Sequence, residues 1–369
     1  MDVTLTPEQE EIRAAARRFL AKRCPIEHVR AMAGDPSGYD PSLWRQMAEL
    51  GWTGLIVPDE HGGLGESFVD LCLLLEEQGR HLLPSPFLPT VALGAQTIAR
   101  FGSPDQQADH LPAIAAGDRI VAIARAALWD SERTGISAER DRGGYVLRGE
   151  ASLVDYAAAA DVFVAIAELG GALSVFLVPA GTGGVSAQPI LAADGVATCI
   201  VRFDGARLPE DAVLGKPGHG APIARALASW GAVARCAELV GIGRRVLDMT
   251  VEYATDRVAF GKPIGTFQAV QHHLANMAVD VLTSGSITRE AAWRVATGDP
   301  RAAESTSVAK AWTSDAIARV CALGHQVHGA IGFTAEHDLH LFSRRARAAE
   351  LDFGDAAWHR GRLAARAGL

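Results

Sequence analysis

Apolar residues recur every three to four positions from Thr6 to about Ala122. From about Ile123 to Val213 they fall into short runs bounded by glycine, and from about Ala221 onward the helical spacing returns. In the first stretch, Thr6-Pro7-Glu8-Gln9 combines capping-box spacing with a first-turn proline and predicts a helix through Ile12, Ala16 and Phe19. Asp40-Pro41 starts another, with Trp44, Met47 and Leu50 inward and Gly51 as its stop. The segment Val57–Gly65 is too rich in glycine for a helix interior and reads as a tight loop. A further helix carries Leu71, Leu74, Leu75 and Gln78. In the middle stretch, Tyr145–Leu147, Val162–Ala167, Leu173–Val178 and Thr198–Phe203 read as strands. In the last, Phe267, Val270, Leu274, Met277 and Val281 form one face of a long helix. Helices, then a sheet, then helices make an α+β chain, divided as 1–122, 123–218 and 219–369.

Composition narrows the function classes. At 369 residues, 49% hydrophobic and 21% charged, the chain can bury a sizeable core. A formal charge of −8 with scattered Lys and Arg argues against a nucleic-acid groove. The start, with Asp2, Glu8, Glu10 and Glu11, does not read as a secretory signal, and no apolar run approaches a membrane span. Cys24, Cys72, Cys199, Cys236 and Cys321 show no metal-ligand spacing and read as reduced thiols of a cytoplasmic protein. No metal site is expected.

Two segments carry candidate chemistry. In Arg257-Val258-Ala259-Phe260-Gly261-Lys262-Pro263-Ile264-Gly265-Thr266-Phe267-Gln268, a helix is expected to end near Phe260, break at Gly261 and Pro263, and restart at about Thr266. That would bring Arg257 close to a helix N-terminus with free N–H groups, a favourable place for a phosphate. On local physics alone, a helical hairpin with a surface arginine is the better reading. In Gln326-Val327-His328-Gly329-Ala330-Ile331-Gly332-Phe333-Thr334, the glycines let the backbone approach a ligand or simply turn a corner. His328 could act as a base, but a packed, hydrogen-bonded role is the better reading beside such small residues.

Together these segments resemble the acyl-CoA dehydrogenase family almost end to end. Leu50-Gly51-Trp52, Gly62-Gly63-Leu64-Gly65, Glu76-Glu77-Gln78-Gly79-Arg80, Arg207-Leu208-Pro209 and Leu214-Gly215 add to the match. The resemblance implies an N-terminal helical domain, a middle β-barrel-like domain and a C-terminal four-helix bundle that builds an oligomer. It implies FAD as cofactor, an acyl-CoA substrate and an electron-acceptor flavoprotein. Arg257 and Gln268 match the residues on the FAD diphosphate and adenine side, and Phe260 the aromatic beside them. Gln326, Val327, His328, Gly329 and Ala330 match the loop touching the same end, with Ala330 where glycine is usual. In the family these groups reach the flavin seated in a neighbouring subunit.

The remaining half of the site departs from the family. The Thr-Glu-Pro…Gly-Ser-Asp loop is replaced by Ala124-Arg125-Ala126-Ala127-Leu128-Trp129-Asp130, and the Lys-x-Trp-Ile-Thr segment by Ala151-Ser152-Leu153-Val154-Asp155. Where the family's glutamate base is expected, this chain has Asp352-Phe353-Gly354-Asp355, and the alternative position falls near Gly231. Asp352, Asp355 and Glu238 are nearby acids by sequence, and each reads better as a solvated or paired group. No catalytic residue is therefore assigned. The chain resembles the small subunits of two-gene dehydrogenases acting on dicarboxylic or steroid side-chain acyl-CoA thioesters. It is expected to complete the FAD site of a second, better-equipped subunit. A self-sufficient enzyme using an acid such as Asp352, and a flavin-free scaffold, are the alternatives.

Overall fold

Thr6 Oγ1 accepts from the Gln9 N–H at 3.3 Å while Gln9 Oε1 accepts from the Thr6 N–H at 3.2 Å, and this reciprocal cap starts the first helix. The computed structural model describes residues 4–125 and 134–369. Its N-terminal part holds α1 (Pro7–Arg23), α2 (Ile26–Met32), α3 (Pro41–Glu49), α4 (Phe68–His81), a wide-turn helix at Leu88–Ala95, α5 (Gln96–Phe101) and α6 (Pro104–Ala115). The middle part holds β1 (Val121–Ala124), β2 (Ile136–Asp141), β3 (Gly144–Asp155), β4 (Val162–Leu169), β5 (Ala172–Pro179), β6 (Val185–Ile190), β7 (Thr198–Pro209) and β8 (Val213–Leu214). Then follow α7 (Ala221–Asp256), the short strands β9 (Val258–Ala259) and β10 (Lys262–Pro263), α8 (Gln268–Ala296), α9 (Ala302–His328), α10 (Leu339–Leu351) and α11 (Ala356–Arg366). The order of helical, sheet and helical parts is the expected one.

By internal contacts the chain forms two compact units. One comprises Met1–Val29, Cys72–Leu83 and Ala232–Leu369; the other comprises Arg30–Leu71 and Pro84–Gly231. In the first, α4 and α7 cross at two glycines. A Cβ on Gly79 would lie 2.1 Å from the Glu238 carbonyl oxygen, and one on Gly241 would lie 1.8 Å from that of Glu76. Only hydrogen fits at either position, so the two backbones are in direct contact there. Arg319 of α9 grips Asp280 of α8 with two bonds of 2.8 and 3.1 Å. Of the apolar stripe on α8, Met277 and Val281 are buried, whereas Val270 and Leu274 are only half-covered within the chain.

In the second unit, a mixed sheet runs β6-β7-β3-β2-β4-β5-β8, with β1 parallel to β4. Leu147, Phe163, Phe176, Val201 and Phe203 lie in its core. Helices fasten to it through single polar groups. The Thr90 hydroxyl exchanges bonds of 3.1 Å with both the carbonyl and the N–H of Val121, and the Tyr156 hydroxyl accepts from the Ser85 N–H at 2.8 Å.

All five cysteines are free and buried, and burial pushes the Cys24, Cys236 and Cys321 thiols up to about 12. Among the described residues no helix is long and apolar enough to cross a membrane, and no cluster of metal-ligating side chains occurs.

Candidate cofactor-binding site

The long helix α7 ends at Asp256, four residues before the break expected near Phe260, and α8 begins at Gln268 rather than Thr266. Between them Val258–Ala259 and Lys262–Pro263 pair as a small antiparallel hairpin. Its tip is Phe260-Gly261, with φ of +52° and +78°. Glycine takes such a turn without strain and phenylalanine does not, so the hairpin holds the Phe260 ring out at a steric cost. That ring is 96% exposed. The Arg257 N–H donates to the Tyr253 carbonyl and the Arg257 carbonyl accepts from Ile264, both at 2.8 Å, which closes the hairpin base.

At the start of α8, Phe267 occupies the cap position and no side chain accepts from the first turn. The Val270 and Gln271 N–H groups donate to the Phe267 carbonyl at 3.0 Å, so it is those of Gln268 and Ala269 that keep their capacity at the positive dipole end. Arg257 is exposed beside them, with no ion pair among the described residues, and Gln268 is exposed in the first turn. Lys262 adds a second positive charge, lying 4.6 Å above the Phe267 ring. Orphan amides, an unpaired guanidinium and a nearby ammonium suit a phosphate or diphosphate.

The second segment closes α9. His328 is its last residue, buried, with Nδ1 2.8 Å from the Gly324 carbonyl oxygen. Burial lowers its pKa, and His337 and His325 act in the same direction, so the ring stays neutral and donates through Nδ1–H. Its face stacks on Tyr253, with ring centroids 4.5 Å apart, and His337 meets it edge-on at 4.8 Å. The arrangement is that of a packed, hydrogen-bonded histidine. Gly329 then turns the chain at φ +67°, ψ −144°, a conformation that L side chains rarely adopt. Gln326, Gly329 and Ala330 are exposed, and Val327 is half-buried. Tyr253 precedes Arg257 by one turn, so its stack on His328 brings the two candidate segments to one end of the unit.

The acids have other work. Arg235 donates to Glu238 at 2.7 Å and to Asp352 at 2.9 Å, and Arg345 reaches the other Glu238 oxygen at 3.2 Å. Burial alone would raise the Glu238 pKa, but the two guanidiniums outweigh it and hold the carboxyl below its ordinary range. The second Asp352 oxygen accepts from the Phe353 N–H at 3.0 Å. Asp355 caps α11, accepting from the Trp358 N–H at 2.8 Å. Phe353 is buried at φ +56°, and Gly231 is buried within α7. A cation and an imidazole hold this loop. Lys310 Nζ donates to the carbonyls of Glu350 and Gly354 at 2.7 and 2.9 Å, and His359 Nε2 lies 3.0 Å from that of Phe353. Burial lowers Lys310 to about 8 and His359 to about 3.

In the other unit, the segment Ala151–Asp155 lies on β3 at a register shift between Ala151 and Val154. Leu153 bulges out there at φ +55° and is half exposed. Ala126–Asp130 of the replaced loop lies outside the described residues.

Sequence reasoning overlooked Tyr253, Lys310 and His359. A lone lysine among small residues (Ser307, Ala309, Ala311, Thr313 and Ser314) is the signal that could have flagged Lys310, because a helix face of that composition packs closely.

Comparison with known proteins gives consistent matches along the chain. Residues 6–118 match the model of the acyl-CoA dehydrogenase N-terminal domain, and residues 218–368 that of the C-terminal domain. The chain is 31% identical over 366 residues to acyl-CoA dehydrogenase FadE27 of Mycobacterium tuberculosis, covering 96% of each. Among solved structures it is similar to a chain of the ChsE4-ChsE5 complex from Mycobacterium tuberculosis, at 30% identity and TM-score 0.92, covering 100% of this chain and 99% of that one. A chain of a Tcur3481-Tcur3483 steroid ACAD variant gives 28% identity and TM-score 0.89, with 99% of each covered.

Proposed function

Because the chain belongs to the acyl-CoA dehydrogenase family, we propose that it is the motif-depleted subunit of a two-chain FAD-dependent acyl-CoA dehydrogenase. Its task is to complete the FAD site of a different partner chain. Arg257, with the first amides of α8, holds the diphosphate; Phe260, Gln268 and the exposed part of Gln326–Ala330 border the adenine side. His328 positions that loop through its contact with Tyr253. FAD, when bound, supplies two-electron oxidation of an acyl-CoA thioester between Cα and Cβ. The base that takes the α-proton comes from the partner, and electrons leave to an electron-acceptor flavoprotein.

One observation carries this reading. The anion-binding end keeps an unpaired Arg257 beside an uncapped helix, while the acids near Phe353 are committed to Arg235, Arg345 and the α11 cap. A self-sufficient enzyme would need to release Asp352 from Arg235, at a cost of a few kcal/mol for breaking a part-buried pair. Two similar structures are of complexes named for two different components, which supports a mixed assembly here. Co-expression with candidate family members, read by the visible flavin spectrum of the purified product, tests it. Flavin should be retained by the mixed assembly and not by this chain alone.

A further inference from the structure

A cavity of about 390 Å³ opens in the first unit beside α1, the end of α4, α7 and the residues that start α10. Arg17, Arg80 and Arg245 line it. Two of the three are neutralised. Arg17 grips the buried Glu77 with bonds of 3.0 and 2.6 Å, and Arg80 donates to Asp248 at 2.5 Å. Arg245 is half-buried and has no ion pair or hydrogen bond among the described residues. Asp338 also lines the cavity and makes a contact of its own. His81 also faces the cavity, with Nδ1 2.9 Å from the Glu77 carbonyl oxygen. Burial lowers its pKa, and the charges of Arg80 and Arg245 act in the same direction, so the ring adds no charge. The lining also carries apolar side chains, with Met249 one turn beyond Arg245 on α7 and Ile26 and Phe342 from other segments.

A half-buried, unpaired guanidinium with apolar side chains in the same cavity is a binding arrangement, because desolvating a charge without a partner is costly. With the Asp338 carboxylate in the same lining, a monoanion on Arg245 is tolerated better than a phosphate dianion, whose second charge would have no free cation to meet in a partly dry cavity. We propose that this cavity binds a small carboxylate with an apolar tail. The carboxylate pairs with Arg245, and the tail lies on Ile26, Met249 and Phe342. The site is separate from the proposed FAD end, since Arg245 precedes Arg257 by about 18 Å of helix, and it does not depend on the functional reading above.

Titration calorimetry on the full chain tests this, with sodium hexanoate as probe and 1-hexanol and sodium phosphate as comparisons. Hexanoate should bind saturably, and hexanol and phosphate should each bind more weakly. Arg245→Met should lower hexanoate affinity roughly ten- to hundred-fold, as loss of a charge-assisted contact does. If that variant fails to fold, Met249→Ser gives a second reading, with hexanoate weakened and phosphate unchanged. No binding of hexanoate, an affinity unaffected in the folded variants, or phosphate binding as tightly as hexanoate (an adventitious ion only) would each overturn the proposal.

Discussion

Tyr253 lies flat against His328, ring centroids 4.5 Å apart and planes 24° from parallel, and through this stack the ends of α7 and α9 become one surface. Arg257 follows from the first helix and Gly329-Ala330 from the second. The Tyr253→Ala change should therefore let the two segments drift and weaken flavin retention by the mixed assembly. Losing an aromatic pair costs about 0.5–1.5 kcal/mol beyond burial, so FAD affinity should fall several-fold, and Tyr253→Phe should restore it. An equilibrium FAD titration of the two variants decides this; equal affinities would remove the stack from the account.

The α4–α7 crossing admits no side chain. Gly241→Ala should cost about 1–3 kcal/mol, because the new methyl meets a backbone oxygen that cannot move aside. Gly181→Ala, with open space around its Cβ and no positive φ, should be nearly neutral. Urea unfolding curves for the pair provide the comparison, and equal midpoints would contradict the close approach.

Acid should destabilise the chain in a definite window. Burial lowers the His359 pKa to about 3, and also lowers those of His81, His110, His325 and His328. Since the folded values lie below the unfolded value of about 6.5, the unfolded state takes protons first. The stability is complete above about pH 6.5 and is lost as pH falls toward the folded values. His359 alone contributes a slope of up to about 1.4 kcal/mol per pH unit there. Chemical denaturation at pH 7, 6, 5 and 4 should show the fall, and His359→Asn should flatten part of it. A variant as steep as the native chain would exclude His359 as a source.

Expressed alone, the chain should dehydrogenate acyl-CoA thioesters at a rate about 10²–10⁴-fold below that of the mixed enzyme, the usual cost of lacking a positioned base. Asp352→Asn should leave the rate of the mixed enzyme unchanged, because Asp352 serves Arg235 and the Phe353 N–H. Stopped-flow reduction of bound flavin reads both. Robust turnover by the single chain, abolished in Asp352→Asn, would establish the self-sufficient alternative.

Much of this architecture is legible in the sequence, and the gaps have physical causes. The Thr6 capping box announces itself through local chemistry, the Val162 and Leu173 runs through continuous burial on both faces, and the Thr198 run through alternation along much of its length. The helix Ile26–Met32 does not, being only seven residues long with Val29 alone buried. The strand Val185–Ile190 alternates half-buried Val185 and Ala187 with exposed Ser186 and Gln188 and then meets Pro189, so its period is too short to read. At the site, Arg257, Gln268 and Gln326–Ala330 stand out as a spaced set. Tyr253 does not, since its role comes from a partner 75 positions away along the chain. The helix ends earlier than its pattern suggests because Val258-Ala259 continues the apolar spacing, whereas the hairpin closed by Ile264 takes those residues for itself. The neutralisation of Asp352 depends on Arg235, which only the folded chain brings to it.

Flavin stoichiometry tests the central claim most directly. If this chain supplies only the diphosphate end, a mixed pair contains one whole site, its ring in the partner and its diphosphate against Arg257. The other site would have to seat the ring on this chain's bulged Leu153 segment, without stacking and hydrogen bonds that together contribute a few kcal/mol. The purified pair should carry one FAD per two unlike chains by absorbance against protein content. Arg257→Ala in this chain should weaken that FAD roughly ten- to hundred-fold, the effect of removing a charge-assisted phosphate contact. Two flavins per unlike pair, or unchanged affinity in Arg257→Ala, would contradict the account.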